Sequence, residues 1–426
     1  MLRLFSYILF SFLMVLTAFA QPEILWSHNY GGDHNQECHG AVVSYDGGFA
    51  LAGTDDCCWQ ETRSDFRIIL INSEGETQWS HRVGGPRDEF GSWVIQASDS
   101  SYIIGGRGSS FTEGSCDAWV VKYSADGDSI WSGNYGGRGF DDSHAASPTP
   151  DGGFVFGGTT DSQSYGRHGA QDFWLVKVDE DGEMDWYGVY GGRATDDCFD
   201  MTGTEDGGYA LAGITSSFGP GGRNFYLVKT NDRGEEEWSF AYGTESPDGC
   251  SAVVQTTDGG YALAGYTNHF NDGRGEFYLV RIDENGEQLW ARHYGGQREE
   301  CCYSMIQTED GGFLLSGYTN SFEDGIITMY IVRTNRDGEI LWTMTPDRNA
   351  DYCYDALSTD DGGYAFAGCG YTEIGRLGRE FFLVKTGTDI LRWISLQDTG
   401  FIKDSSLVYN TEYFNVQGFC SCFFNR

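Results

Sequence analysis

Short apolar runs recur along most of this chain, and each run lies between residues that favour turns. Two examples are the segments 209–213 (Tyr-Ala-Leu-Ala-Gly) and 225–229 (Phe-Tyr-Leu-Val-Lys). Apolar runs of about five to eight residues bounded by Gly, Asn or Asp are typical of strands buried on both faces. The pattern therefore predicts many short strands joined by tight turns rather than helices.

The runs belong to one unit that repeats along almost the whole chain. Its turn signal is Asp-Gly-Gly followed by Tyr or Phe, which begins at Asp46, Asp151, Asp206, Asp258, Asp310 and Asp361, with a degenerate copy at Asp99. A second marker is a tryptophan, found at Trp26, Trp79, Trp131, Trp186, Trp238, Trp290, Trp342 and Trp393. The tryptophans are 51 to 55 residues apart, a period typical of β-propellers.

Each unit predicts four antiparallel strands. Asp-Gly joins the first strand to the second, and turns such as 181–182 (Asp-Gly) and 285–286 (Asn-Gly) join the third to the fourth. These dipeptides supply the positive φ that a tight hairpin needs. Radial packing of four-stranded sheets buries both faces of each sheet. Seven copies of the inner hairpin therefore predict an all-β, seven-bladed β-propeller of four-stranded antiparallel blades.

The eight tryptophan strands exceed the seven blades by one. The Trp26 segment runs through 30–32 (Tyr-Gly-Gly) into the first inner strand, as later units do, whereas no such link follows Trp393. We expect the N-terminal strand to close the ring by completing the seventh blade. The Trp393 strand then either competes for that place or lies outside it.

One unit shows the joint pattern clearly: Tyr242-Gly, 257–265 (Thr-Asp-Gly-Gly-Tyr-Ala-Leu-Ala-Gly), 278–280 (Tyr-Leu-Val), 285–286 (Asn-Gly) and Trp290. This pattern resembles a group of secreted bacterial proteins with tandem YGG, DGGY, LVK, G and W units, regarded as β-propellers. The resemblance covers about residues 23 to 393 and implies export and fold but no particular activity. Many members of the group end in a sorting or anchoring module, whereas residues 394–426 fit no repeat.

The first twenty residues read as a signal peptide, with Arg3, an apolar run over 4–16 and a small-residue cleavage site at 18–20 (Ala-Phe-Ala). The run is short for a membrane span, and no later stretch reaches the roughly 20 apolar residues of a transmembrane helix. The predicted organisation is a signal peptide over 1–20, a propeller over 21–396 and an irregular tail over 397–426. We expect a monomer that is secreted or held at the cell surface, without a transmembrane helix.

The formal charge of −36 limits which classes of partner this chain can bind. A field of that sign repels nucleic acid phosphates and anionic lipid headgroups, so nucleic acid is excluded as a partner. Cationic partners or metal ions complement it. Acidity also simply keeps an exported protein soluble.

Strand alternation places the links after the Trp strands and the long loops between second and third strands on one side, which we call the loop face. Ten cysteines map to it: Cys38, Cys57, Cys58, Cys116, Cys198, Cys250, Cys301, Cys302, Cys353 and Cys369. In an exported chain such cysteines predict disulfides. Pairing through the Asp-Gly turns would put Cys353 nearly opposite Gly370, and Cys38 opposite Asp55.

This register predicts one bridge from Cys353 to Cys369 and another from Cys38 to Cys57 or Cys58. Metal binding by Cys198, Cys250, Cys302 and Cys353 is the alternative, because they occupy equivalent places around the central opening. Thiolate metal sites, however, usually show close Cys spacing.

Carboxylates follow each tryptophan by about ten residues and would form an acidic collar at the channel mouth. The collar comprises Glu37, Asp88, Glu89, Asp141, Asp142, Asp196, Asp197, Asp248, Glu299, Glu300 and Asp351. Converging carboxylates would hold Ca²⁺, the one cofactor indicated, or attract cationic ligands. Alternatively, these side chains cap turns through local hydrogen bonds.

Paired carboxylates also hydrolyse glycosides, so a carbohydrate-active hydrolase or lyase is the alternative function. The segments 126–131 and 181–186 resemble the Asp-box of sialidase propellers, but their Gly stands four residues before Trp instead of three. Nucleophilic catalysis finds no support, because His39, His144 and His269 fall in predicted loops without a partnered Ser or Cys. Chemistry spread evenly over the blades favours a secreted, non-catalytic binding or scaffold module for a glycan, a protein or a cation.

Removing metal distinguishes the two roles of the collar. A Ca²⁺ ion bound only to the native state raises the apparent stability. The turn-capping role predicts that EDTA leaves the Tm unchanged in a calorimetric scan. A fall in Tm that added Ca²⁺ restores would contradict capping and support a calcium site.

Overall fold

The computed structural model describes residues 14–32, 35–56, 63–112, 114–165, 170–268, 275–322, 325–345, 350–371 and 378–395. Within them the chain forms thirty strands and a 3₁₀ turn at Gln163–Tyr165. Strands β1 (Met14–Phe19) and β30 (Ile390–Ser395) pair antiparallel in a sheet of their own. They belong to a compact unit separate from Ala20–Asp389, which holds all the other strands.

The larger unit is a seven-bladed β-propeller, as predicted, and each blade is a four-stranded antiparallel sheet. Blade 1 contains β3 (Asn35–Val43), β4 (Phe49–Asp56), β5 (Ser64–Ile71) and β6 (Thr77–Val83). Blade 2 contains β7 (Glu89–Gln96), β8 (Tyr102–Gly108), β9 (Asp117–Tyr123) and β10 (Ser129–Tyr135). Blade 3 contains β11 (Ala145–Pro148), β12 (Phe154–Thr160), β13 (Asp172–Val178) and β14 (Met184–Tyr190).

The remaining blades follow the same order. Blade 4 contains β15 (Asp196–Gly203), β16 (Tyr209–Thr215), β17 (Asn224–Thr230) and β18 (Glu236–Tyr242). Blade 5 contains β19 (Asp248–Gln255), β20 (Tyr261–Thr267), β21 (Glu276–Ile282) and β22 (Gln288–Tyr294). Blade 6 contains β23 (Glu300–Gln307), β24 (Phe313–Thr319), β25 (Thr328–Thr334) and β26 (Ile340–Met344).

Blade 7 joins the two ends of the ring. It contains β27 (Ala350–Ser358), β28 (Tyr364–Tyr371) and β29 (Arg379–Thr386), and its fourth strand is the N-terminal β2 (Ile24–Tyr30). Trp26 pairs with Lys385 in this sheet. The predicted closure by the N-terminal strand is therefore confirmed, and the Trp393 strand, β30, pairs with β1 instead.

Both faces of each blade are buried against neighbouring blades. Adjacent residues of a strand point to opposite faces, so Phe225 contacts Tyr278 of blade 5 and Tyr226 contacts Phe173 of blade 3. The ring centroids are 5.3 and 5.1 Å apart. The third strands are buried along almost their whole length because they have no solvent face, and β13 and β17 are buried at every residue.

The repeated Tyr-Gly-Gly tyrosine links one blade to the next. The hydroxyl of Tyr242 donates to the carbonyl of Gly286 in the following blade, at 2.7 Å. Gly286 has a φ of +84°, and a Cβ there would meet the ring of Phe240. The same bond joins Tyr30 to Gly75, Tyr135 to Gly182, Tyr190 to Gly234 and Tyr294 to Gly338.

The basic residue of the third strand fixes the Asp-Gly-Gly turn on the side opposite the loop face. Lys229 Nζ lies 2.8 Å from Asp206 Oδ2 and also donates to the carbonyl of Thr230. Burial raises the pKa of Asp206, but the bonds from Lys229, the Thr204 hydroxyl and the Gly208 N–H together outweigh it and lower the pKa to about 2. Equivalent pairs are Lys122–Asp99, Lys177–Asp151, Arg281–Asp258, Arg333–Asp310 and Lys385–Asp361.

Ring closure by β2 is tested by Tyr30→Phe, which removes the bond to Gly75 across the closing junction. An unpaired buried carbonyl costs about 1 to 3 kcal/mol, so urea unfolding should show a loss of that size. Tyr242→Phe, at a junction inside the chain, should lose the same amount, and Tyr45→Phe, at an exposed turn tyrosine, should lose nothing. A stable Tyr30→Phe variant beside a destabilised Tyr242→Phe variant would contradict the closure.

Candidate functional site

The first strands of all seven blades line a central cavity of about 350 Å³. In six blades the pairing of the first strand shifts at one residue, which leaves a β-bulge near the loop face. The bulge turns one side chain of each strand toward the channel. The residues at this place are His39, Ser92, Phe199, Ser251, Tyr303 and Tyr354, with His144 in blade 3, and all of them line the cavity.

The bulge changes the register predicted for the cysteines. Cys353 pairs with Gly368 and not with Gly370, and Cys38 pairs with Gly53 and not with Asp55. The observed register therefore differs from the predicted one by two residues in each blade. One of these two residues comes from a longer turn, and the other comes from the bulge. Cys369 pairs with Tyr352, so it lies on the opposite face of the sheet from Cys353, and the Cys353–Cys369 register prediction was wrong.

The described cysteines are free thiols, and none of them lines the central cavity. Cys38, Cys198, Cys250, Cys302 and Cys353 are fully buried. Each donates to the carbonyl two residues later, at 3.3 to 3.6 Å, and burial raises the pKa of each thiol. Such thiols are unreactive packing residues. Cys57 and Cys58 lie outside the described residues.

The acidic collar separates into two sets. Glu89, Asp141, Asp196, Asp248 and Glu300 are fully buried. Each accepts a hydrogen bond from the backbone N–H four residues earlier, at 2.5 to 3.1 Å. Further bonds come from hydroxyls such as Ser162 on Asp141, at 2.6 Å. These five carboxylates hold the Tyr-Gly-Gly links in place.

Blades 1 and 7 depart from this rule. In blade 1 the equivalent position holds Gln36, whose Nε2 donates to Asp55 Oδ2 at 2.9 Å, and Glu37 lies one residue further on. In blade 7 the position holds Asp351. Burial raises the pKa of Asp351 to about 6, although the charge of Arg379 acts in the opposite direction. A one-residue offset puts a side chain on the other face of a strand.

The remaining collar residues are therefore offset by one residue from the buried set. They are Glu37, Asp88, Asp142, Asp197 and Glu299. Asp142 is buried and bonded to His144, whereas Glu299 is exposed. Among the described residues there is no group of three or more His, Cys, Asp or Glu side chains placed to hold a metal ion.

Aromatic rings gather at the mouth on blades 6, 7 and 1. We call Tyr303, Tyr318, Tyr352, Tyr354 and His39 the tyrosine arc. Neighbouring ring centroids along the arc lie between 4.7 and 5.8 Å apart. All five side chains are partly exposed.

Charged groups flank the tyrosine arc. The guanidinium carbon of Arg379 lies 4.9 Å from the centre of the Tyr352 ring. Arg379 also contacts the carboxylates of Glu37, at 2.5 Å, and Asp351, at 4.0 Å. The hydroxyl of Tyr318 donates to Glu299 Oε1 at 3.0 Å.

The opposite wall of the mouth, on blades 2 to 4, has a different character. Arg107 lies over the ring of Phe90 at 4.7 Å. His144 Nε2 lies 2.9 Å from Asp142 Oδ2, and its ring packs near Phe199. Burial lowers the pKa of His144, but Asp142 outweighs burial and raises it overall.

Two aspartates lower in the channel bridge neighbouring blades. Asp200 accepts the backbone N–H of Val253 in blade 5, at 2.8 Å. Asp355 accepts the N–H of Ala41 in blade 1, at 2.9 Å, and the hydroxyl of Ser304 in blade 6, at 3.0 Å. Burial raises the pKa of Asp200 to about 7 and that of Asp355 to about 6.

Sequence reasoning missed the arc and the bridging aspartates. His39 was expected in a loop but lies in strand β3, because the bulge exposes one residue inside the strand. His144 pairs with Asp142, and His269 lies outside the described residues. The sequence does contain a signal for this position, since the buried Cys recurs in five blades while the residue after it varies from blade to blade.

Comparison with known proteins informs the fold only. Neither a protein-family model nor a curated protein sequence matches this chain. A fungal alcohol oxidase solved with copper has a TM-score of 0.50 at 12% identity, covering 86% of this chain and 76% of its own. At that identity the likeness shows the propeller fold alone.

Two further solved structures have TM-scores of 0.48, too low for an argument about this chain. The WD40 domain of Neurospora crassa Pan2 is 10% identical and covers 82% of this chain and 95% of its own. Sqt1 from Chaetomium thermophilum is 11% identical and covers 82% of each. Among the described residues, no helix has the length and apolar character to span a membrane.

The bridging aspartates predict a pH dependence of stability. The pKa of Asp200 is about 7 in the folded protein and about 4 in an unfolded chain. Between these values the native state binds the additional proton, so the free energy of unfolding falls as pH rises from about 4 to about 7, by about 4 kcal/mol. Asp355 contributes with the same sign.

Urea unfolding between pH 4 and 8 measures this slope. Asp200→Asn should make the slope shallower, because the amide does not titrate, and should leave the contribution of Asp355. Asp361→Asn is the control, since Lys385 and its neighbours lower the pKa of Asp361 to about 2 against the effect of burial, outside the window. An Asp200→Asn variant with the wild-type slope would contradict the assignment.

Proposed function

We propose that this protein is an exported, non-catalytic binding or scaffold module that takes its ligand on the tyrosine arc. The observation that carries the proposal is the gathering of four tyrosines and a histidine on three adjacent blades, at the open end of the channel. Clustered aromatic side chains with a few polar groups are typical of ligand sites. The ligand classes that suit such a surface are a glycan, a protein or a cationic group.

The contrast between repeated and variable residues supports the proposal. Three kinds of residue repeat and form bonds at turns. They are the tyrosine at the end of the fourth strand, the aspartate of Asp-Gly-Gly and the basic residue of the third strand, with Tyr242, Asp206 and Lys229 as examples. The arc residues have no counterpart of the same type in most blades. Residues that repeat hold the ring together, and those that vary are available for recognition.

Export is supported by the apolar leader and by the resemblance to secreted repeat proteins. The proposal involves no bound Ca²⁺, because the five buried collar carboxylates already accept backbone and hydroxyl hydrogen bonds. A strongly acidic exterior suits an exported protein that avoids anionic surfaces.

A carbohydrate-active hydrolase or lyase is the second candidate, and one observation favours it. Asp351, with a pKa raised to about 6 by burial, and Glu37 both contact Arg379. A carboxyl whose pKa is raised, beside a second carboxyl on the same arginine, is the kind of pair that general acid and base catalysis uses.

The two functions are separated by assaying binding and turnover on the same variants. The probes are a glycan array, a peptide array and chromogenic glycoside and uronide substrates. Binding that Tyr318→Leu abolishes and Tyr45→Leu preserves, without turnover, supports the binding module. Turnover that is lost in Asp351→Asn, or in Asp141→Asn and Asp142→Asn, would contradict it in favour of an enzyme.

A further inference from the structure

Blade 7 shows how one tyrosine of the arc is occupied. Tyr352 lies opposite Cys369 on the first two strands of the blade. The guanidinium of Arg379 covers its ring at 4.9 Å and is flanked by the carboxylates of Glu37 and Asp351. A cation on an aromatic face beside carboxylates is favourable both through the ring quadrupole and through direct charge pairing.

Blade 6 has a similar tyrosine and cysteine pair, and among the described residues no arginine or lysine lies over the ring of its tyrosine. Here Tyr318 lies opposite Cys301, with the tyrosine on the second strand and the cysteine on the first. A carboxylate is again present, because the Tyr318 hydroxyl donates to Glu299. The Tyr318 and Tyr352 rings meet edge to face, 5.1 Å apart, so the two places are adjacent.

The residue that corresponds to Arg379 in blade 6 is apolar. Phe381 pairs with Cys369 in blade 7, and Met329 pairs with Tyr318 in blade 6. Counting two residues back from each places Ile327 where blade 7 has Arg379. Blade 6 therefore has the ring and the carboxylate of this arrangement but not its cationic side chain.

We propose that the tyrosine arc binds an arginine side chain of a partner protein. Its guanidinium lies on the Tyr318 ring and pairs with the Glu299 carboxylate, because the chain's own residue at this position, Ile327, carries no charge. This inference rests on the proposed binding function and specifies its ligand. Charge complementarity argues for it, since a chain of net charge −36 attracts a basic segment from a distance. A neutral glycan would stack on the tyrosines without using Glu299.

The test uses the protein lacking its signal peptide and a hexapeptide of alternating glycine and arginine. The matched probe has citrulline in place of every arginine, which keeps the length and planar shape of the side chain, replaces one nitrogen with a carbonyl oxygen and removes the charge. We expect the arginine peptide to bind at least about fivefold more tightly in calorimetric titration. Its affinity should fall as salt rises from about 0.05 to 0.5 M, because the attraction is screened.

Two isoleucines supply the decisive pair of variants. Ile327→Arg puts a guanidinium on the chain beside Tyr318 and should reduce binding of the arginine peptide to the citrulline level. Ile326→Arg adds the same charge at the neighbouring exposed position, which is not the counterpart of Arg379, and should bind like wild type. Glu299→Gln, at an exposed side chain, should weaken binding about two- to fivefold.

Each outcome decides the inference. Equal binding of the arginine and citrulline peptides, or an Ile327→Arg variant that binds like wild type, overturns it. Binding of a neutral glycan that requires Tyr318 but not Glu299 overturns it while leaving the proposed function in place. If no probe binds in a way that depends on Tyr318, both the inference and the proposed function fail.

Discussion

The constraint on which the structure depends is that every blade has two apolar faces and neither can face water. Phe225 and Tyr226, adjacent in one strand, are buried against different neighbours. A sheet of this kind is stable only between two others, and a row of such sheets ends in an exposed face unless it closes. Closure explains why the N-terminal β2 completes blade 7 and why the same hydroxyl-to-carbonyl bond recurs from blade to blade.

The sequence was sufficient for the fold because the features that hold the blades together are repeated. Turn glycines such as Gly286, junction tyrosines such as Tyr242 and turn aspartates such as Asp206 mark each blade at a constant interval. The number of blades, the four strands of each and the closing strand all follow from counting these markers. They are predictable because local turn chemistry and alternation act over a few residues.

The site was less predictable, for two physical reasons. A bulge adds one residue without altering the apolar pattern, so it changes which residue faces Cys353 and turns Tyr354 into the channel with no trace in hydrophobicity. A one-residue offset separates Gln36 from Glu37 and the five fully buried collar carboxylates from the other collar residues. The tyrosine arc is assembled from residues up to 315 positions apart, His39 to Tyr354, and only ring closure brings its ends together.

Closure by β2 also has a consequence for how the molecule is made. The strand Ile24–Tyr30 is synthesised before all seven inner hairpins, whereas its partner Arg379–Thr386 is synthesised after them. Six blades can form in order by contacts close in sequence, but the seventh waits for the two ends to meet, and such distant pairing is slow. Until then the open array exposes an unfinished apolar face at each end. Export of an unfolded chain would postpone this vulnerable interval until the whole sequence is present on one side of the membrane.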